Sequence, residues 1–194
     1  MRLRPYRRHE DDARLIELAQ EDINTRGHTG LSEQDAKLFA RQRFAEELGK
    51  EMRPDENVIV IAIADSHEEI TALTAQSTVS TNNEEESSDN NQCLKPSHCA
   101  SRIMAFIKLE IRPDSVTNRP EGFIHHLCID QRCKNTRLSA ALINDAQHWA
   151  QRNGLYKLSL DLDAADEASI SLYEASGFHV SSVSMEIPCL EPER

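Results

Sequence analysis

The run Val58-Ile59-Val60-Ile61-Ala62-Ile63 constrains the fold more than any other stretch of this chain. β-Branched residues at neighbouring positions favour an extended backbone, and successive side chains of a strand point to opposite faces. Apolar residues on both faces need cover on both sides, so this strand belongs in the interior of a sheet flanked by helices. The apolar stretch ends at Ala64, far short of the roughly 20 residues that span a bilayer as a helix. No membrane span is expected. A chain of 194 residues buries about two thirds of its unfolded surface, enough for one core without a disulfide or metal staple.

Strand and helix patterns alternate around that run. Arg2 to Tyr6 predicts a short first strand. Leu15, Ile16, Leu18, Ala19 and Ile23 share a helical face from about Asp11 to Asn24, and Ser32 begins a second amphipathic helix that carries Ala36, Phe39, Ala40 and Phe44 to Gly49. Ile103–Ile111 and Phe123–Ile129 predict two strands, with Gly122 as a break before the second. Leu138 to Gln151 predicts a helix facing inward with Leu138, Ala141, Leu142, Ala146 and Trp149, closed by Asn153-Gly154 in a left-handed cap. A half-buried strand from Tyr156 to Leu162, a short helix from Asp166 to Ser176 closed by Gly177, and a last strand from Val180 to Ile187 complete the order β-α-α-β-β-β-α-β-α-β. The class is α/β (α+β) in one domain.

One stretch stands apart. Ser66 to Ala100 holds sixteen Ser, Thr, Asn or Gln residues and the run Glu84-Glu85-Glu86, a composition too polar to offset ordering entropy, and it is expected to be a disordered, solvated insertion. The net charge of −11 opposes phosphate backbones, so nucleic acid is not an expected partner, whereas cationic molecules suit the field. Five cysteines (Cys93, Cys99, Cys128, Cys133, Cys189) are scattered without a C-x-x-C pair, which argues against zinc and a disulfide framework; no metal is expected. The first residues carry basic side chains without an apolar segment behind them, so a cytoplasmic location is expected.

Chemistry concentrates after the Phe123–Ile129 strand. Its polar turn, Asp130 to Ser139, feeds directly into a helix, and a helix N-terminus offers unpaired amides and a positive dipole end to an anion. Arg132, Lys134 and Arg137 crowd the same turn. An ordinary solvated connection would show the same residues, so the turn alone does not decide.

Further along, Asp166, Ser169, Leu172, Tyr173, Glu174, Gly177 and Phe178 stand in register with Asn-x-x-Ala-x-x-Leu-Tyr-Glu-x-x-Gly-Phe. This block resembles the fourth motif of the GNAT superfamily of N-acetyltransferases, with Ser169 on the alanine position and Asp166 on the asparagine position. Lys134, Arg137 and Ser139 fall on the Q/R, first Gly and Gly/Ala positions of the family's acetyl-CoA motif, Q/R-x-x-G-x-G/A, so both glycines are substituted. The resemblance implies an acyl-CoA N-acyltransferase fold: a mixed sheet of about 6–7 strands, about four helices, and splayed fourth and fifth strands.

It also implies roles. Acetyl-CoA would serve as cosubstrate, its pantetheine arm lying between the parted strands. The Leu127 amide would polarise the thioester carbonyl, Cys128 and Ile129 would line the arm, and the amides of Asn135, Thr136, Arg137, Leu138 and Ser139 would take the pyrophosphate, with Lys134 and Asp166 nearby. Tyr173 would protonate the leaving thiolate, since a phenol stays protonated at neutral pH; core packing is its bland alternative. Unbroken alternation puts Glu121, Phe123, His125, Leu127 and Ile129 on one side of the strand and Gly122, Ile124, His126 and Cys128 on the other. Family members carry a base at positions matching Phe123 or His125. Of these His125 can take a proton, while a hydrogen-bonded surface histidine is its bland alternative. Cys128 and Cys133 are expected to be structural. Two functions follow: an N-acetyltransferase acting on an amine-bearing small molecule, peptide or protein through a ternary complex, or a noncatalytic binding module of the same fold with a degenerate pyrophosphate loop. Exposed edge strands leave a homodimer open.

Overall fold

The computed structural model describes residues 2–22, 33–49, 57–64, 103–133 and 137–185. Its elements are β1 (Arg2–Pro5), α1 (Asp12–Asp22), α2 (Glu33–Gly49), β2 (Asn57–Ile63), β3 (Ile103–Pro113), β4 (Pro120–Ile129), a 3-10 turn (Gln131–Cys133), α3 (Leu138–Arg152), β5 (Leu158–Ser159) and α4 (Glu167–Ala175). The sheet runs β1-β2-β3-β4-β5, antiparallel except for the parallel β4–β5 pair. It is therefore a mixed sheet, with five strands among the described residues where about six or seven were expected.

β2 is covered on both sides, as its sequence requires. Ile59, Ile61 and Ile63 pack with Leu15 and Leu18 of α1 and Phe44 and Leu48 of α2, while Val60, Ala62 and Ala64 pack with Leu138, Leu142, Ile143 and Trp149 of α3. Two apolar layers thus sandwich the sheet. α2 buries Ala36, Ala40, Phe44 and Leu48, a stripe of strict fourth residues, and this leaves Phe39 58% exposed where the sequence put it in the core. On α3 the inward stripe includes Ile143 beside the expected Leu138, Leu142, Ala146 and Trp149. Gly154 closes α3 at φ +65° and Gly177 follows α4 at φ +91°, left-handed positions that glycine adopts without strain.

Three boundaries differ from the sequence expectation. β4 begins at Pro120, so Gly122 lies inside the strand; a Cβ there would stand 2.9 Å from Leu158 Cδ1 and 3.1 Å from Trp149. Glycine admits close approach of β4 to α3 and β5, and it does not break the strand. Only Leu158 and Ser159 of the expected Tyr156–Leu162 strand pair with β4. Residues 180–185 form no strand, with Val180, Val183 and Met185 exposed. Ile23, Ser32, Ile187 and the 66–100 stretch lie outside the described residues. No helix among the described residues is long and apolar enough to cross a membrane.

Candidate active site

β4 organises the site. Near its start, Gly122 and Phe123 pair with Leu158 and Ser159 of β5, and the Gly122 amide donates to the Lys157 carbonyl at 3.0 Å. β5 then ends, and among the described residues Leu127 to Ile129 pair only with β3, through Ile107 to Ala105. The two strands part, as the splayed pair of the expected fold does. The Asp130 amide donates to the Met104 carbonyl of β3 at 2.8 Å. Amides alternate along a strand, so Cys128 points its N–H toward β3, and Leu127 and Ile129 point theirs to the open edge.

That parity depends on an irregularity. Gly122 and Asp130 are an even number of residues apart, yet one amide points to β5 and the other to β3. The register shifts in between: Lys108 stands opposite His126 and Leu109 opposite Ile124, leaving His125 as the extra residue of a β-bulge. The bulge also corrects the face assignment. Ile124, Leu127 and Ile129 all pack toward the α3 layer, whereas Cys128 is buried in the α1–α2 layer. His125 and His126 both turn to the α1–α2 side, where His125 sits edge-on to Phe123 (4.9 Å, 82°) and His126 edge-on to Phe44 (5.0 Å, 84°).

Each histidine meets a carboxylate. His125 Nε2 is hydrogen-bonded to Glu110 of β3, and His126 Nε2 lies 3.4 Å from Glu47 of α2. Glu47 is also paired with Lys108. The hydrogen bonds from His126 and Lys108 pull the Glu47 carboxyl down to about 2, against the opposing effect of burial. A charged cluster drawn from α2, β3 and β4 therefore borders the bulge.

Beyond β4, Asp130 is buried and accepts from the Arg132 amide (2.9 Å), from Arg132 Nε (2.9 Å) and Nη2 (2.6 Å), and from Arg14 of α1. Burial pushes this carboxyl up, but the Arg132 hydrogen bonds and the Arg14 charge outweigh it and hold it low. Arg132, one of the three cations of the turn, is thus bound back to Asp130. Lys134, Asn135 and Thr136 lie outside the described residues. Arg137 stands exposed at the N-cap of α3 without a side-chain cap, while Leu138 and Ser139 are buried. Cys128 and Cys133 are buried and in no disulfide among the described residues, and burial pushes the Cys133 thiol up, away from the reactive thiolate.

Asp166 caps α4, its carboxylate accepting from the Ser169 amide at 3.0 Å. This is the role expected of a short polar side chain at that position. Tyr173 is 6% exposed, belongs to the α3-side layer, and packs edge-on against Phe178 (5.4 Å, 74°). The side chains of Leu127 and Ile129 pack on that same layer, so they share a side of the sheet with Tyr173, while their amides point along the sheet plane at the edge between the Tyr173 and His125 faces. Glu47, Glu110, Asp130 and Arg14 escaped the sequence reading, because each acts through a partner on another element. The doublet His125-His126 was the signal available for a bulge.

Comparison with known proteins agrees with this architecture. Residues 67–178, more than half of the chain, match the model of the Acetyltransferase (GNAT) family. A search of curated proteins found no match. Among solved structures, the chain resembles a putative acetyl transferase from Pyrococcus furiosus (TM-score 0.65, 15% identity, covering 96% of this chain and 99% of that one). It also resembles an aminoglycoside antibiotic 6'-N-acetyltransferase from Acinetobacter haemolyticus (0.57, 13%, 99% and 100%) and the structure of AAC(6')-Iy in complex with a CoA-bearing bisubstrate analogue (0.55, 14%, 96% and 96%). At these identities the likeness is one of fold. The family match together with the parted strands of a mixed sheet makes the chain a member of the GNAT acetyltransferase family.

Proposed function

We propose that this protein is an N-acetyltransferase that moves acetyl from acetyl-CoA directly to an amine. The observation that carries the proposal is the open edge of β4, where Leu127 and Ile129 direct their amides away from β3 beyond the last β5 pair. An unpaired strand edge accepts an extended ligand with amide groups of its own, as a pantetheine arm has. α3 is the next α-helix after β4 in the chain, and Arg137 stands exposed at its N-terminus for a phosphate. When bound, acetyl-CoA supplies an activated acyl carbon and a thiolate leaving group.

The chain's own residues do the rest. Leu127 donates its amide to the thioester oxygen as negative charge develops there. Tyr173 gives its phenolic proton to the departing sulfur. His125 takes the proton of the acceptor amine, directly or through a water. The amine acceptor is supported by the family and by the aminoglycoside acetyltransferases among its structural relatives.

The substituted glycines, Arg137 and Ser139, favour a second reading, a noncatalytic module that keeps the fold without its ligand. Titration calorimetry with acetyl-CoA, followed by an acetylation screen over aminoglycosides, polyamines and lysine peptides, separates the two. Micromolar binding and acetyl transfer support the enzyme. No binding at millimolar acetyl-CoA supports the module.

A further inference from the structure

We propose that Glu110 is the positioning residue of His125, holding its imidazole in the Nε2–H form so that the proton of the acceptor amine is taken at Nδ1. The inference rests on the assignment of His125 as the base. As the extra residue of the bulge, His125 has no cross-strand partner to set its side chain. Two contacts do so instead. Phe123 presents its ring edge-on at 4.9 Å, and Glu110, which stands opposite Phe123 across the β3–β4 ladder, hydrogen-bonds His125 Nε2.

A carboxylate offers only acceptor sites, so the shared proton belongs to Nε2. A neutral imidazole has one N–H, and the hydrogen bond made by one nitrogen decides the state of the other. Nδ1 therefore keeps its lone pair, and among the described residues it makes no hydrogen bond. The His125 side chain is 29% exposed and that of Glu110 35%, so the pair is partly open to a ligand or a water. His126 shares the face, its ring 6.4 Å from that of His125, but it is bound to Glu47 of α2. The structure thus distinguishes two adjacent histidines: one ties α2 to the sheet, and the other is held by its own sheet with one nitrogen available.

In the step itself the acceptor nitrogen forms its bond to the acetyl carbon as its proton passes to His125 Nδ1. The carbon–sulfur bond then breaks, and the thiolate takes the Tyr173 proton. Solvent restores both side chains.

Nitrogen-15 spectra of the full chain with labelled histidine test the assignment without any acceptor. The expected result is an Nε2–H tautomer at His125 in the wild type, and a mixture in Glu110→Gln, whose amide satisfies either nitrogen. Kinetics use whichever of neamine, spermidine or a lysine peptide the wild type acetylates. Glu110→Gln should lower kcat about tenfold with both KM values unchanged, and Glu110→Asp, which keeps the acceptor-only charge, should recover part of it. An Nδ1–H tautomer in the wild type overturns the role of Glu110. So does a Glu110→Gln variant with wild-type kcat alongside an impaired His125→Ala. Undiminished kcat in His125→Ala overturns the base assignment itself, and the proton path with it.

Discussion

At Gly122 and Phe123 β4 is paired with β3 on one edge and with β5 on the other, whereas from Leu127 to Ile129 it is paired, among the described residues, with β3 alone. The closed half is also locked by charge. Arg112 Nε reaches Glu121 Oε1 at 3.0 Å, Lys157 Nζ reaches Glu121 Oε2 at 2.9 Å, and Lys157 also pairs with Asp114. The hydrogen bonds from Lys157 and Thr117 hold the Asp114 carboxyl well below the usual carboxylate range. Such a lock fixes where the strands meet, so the place where they part is fixed too. One strand thereby supplies both a rigid anchor and an unsatisfied edge, and the bulge at His125 sets which amides that edge presents.

Proline separates the halves most sharply. Leu127 does not use its N–H toward β3, so Leu127→Pro should keep the fold while lowering kcat by about a hundredfold or more, the typical effect of removing an oxyanion donor. Cys128→Pro removes a ladder hydrogen bond, leaves its acceptor on β3 unpaired, and should cost about 1–3 kcal/mol of stability. Melting curves beside kinetics check the pair, and equal stabilities would contradict the assigned parity. Tyr173→Phe should lower kcat about a hundredfold with acetyl-CoA affinity unchanged. Unaltered turnover would leave Tyr173 a packing residue beside Phe178.

Gly122→Val acts on the closed half. Its side chain would meet Leu158 and Trp149, so overpacking should cost about 1–3 kcal/mol, read as a lower Tm, while acetyl-CoA affinity stays the same. The smallest effect concerns the junction. Glu47 is depressed from 4.5 to about 2 in the folded chain. A depressed carboxylate stabilises the fold fully above its unfolded value, and that contribution fades as pH falls from 4.5 through about 2. Glu47→Gln should therefore flatten the acid side of a Tm–pH plot. An unchanged slope would remove Glu47 from that dependence.

Much of this was legible in the sequence because it is local. The continuous apolar run of β2, the glycine caps after α3 and α4, and the Leu172–Phe178 motif each depend on residues close together in the chain. The bulge was not legible. Counting sides from Glu121 to Ile129 assumes an unbroken pleat, and one extra residue moves Leu127 and Ile129 to the opposite layer from His125. Phe39 misled for a similar reason, since helical spacing permits either Phe39 or Ala40 beside Ala36 and only packing against α1 and the sheet selects the second. Partners such as Glu47 with His126, or Arg14 with Asp130, join elements that sequence distance keeps apart.

Amide hydrogen exchange at single residues measures the open edge itself. Without ligand, the amides of Leu127 and Ile129 should exchange much faster than that of Cys128. Saturating acetyl-CoA should slow those two selectively. Protection of Leu127 and Ile129 in the free protein, or exchange left unaltered by bound acetyl-CoA, would contradict the placement of the thioester along β4.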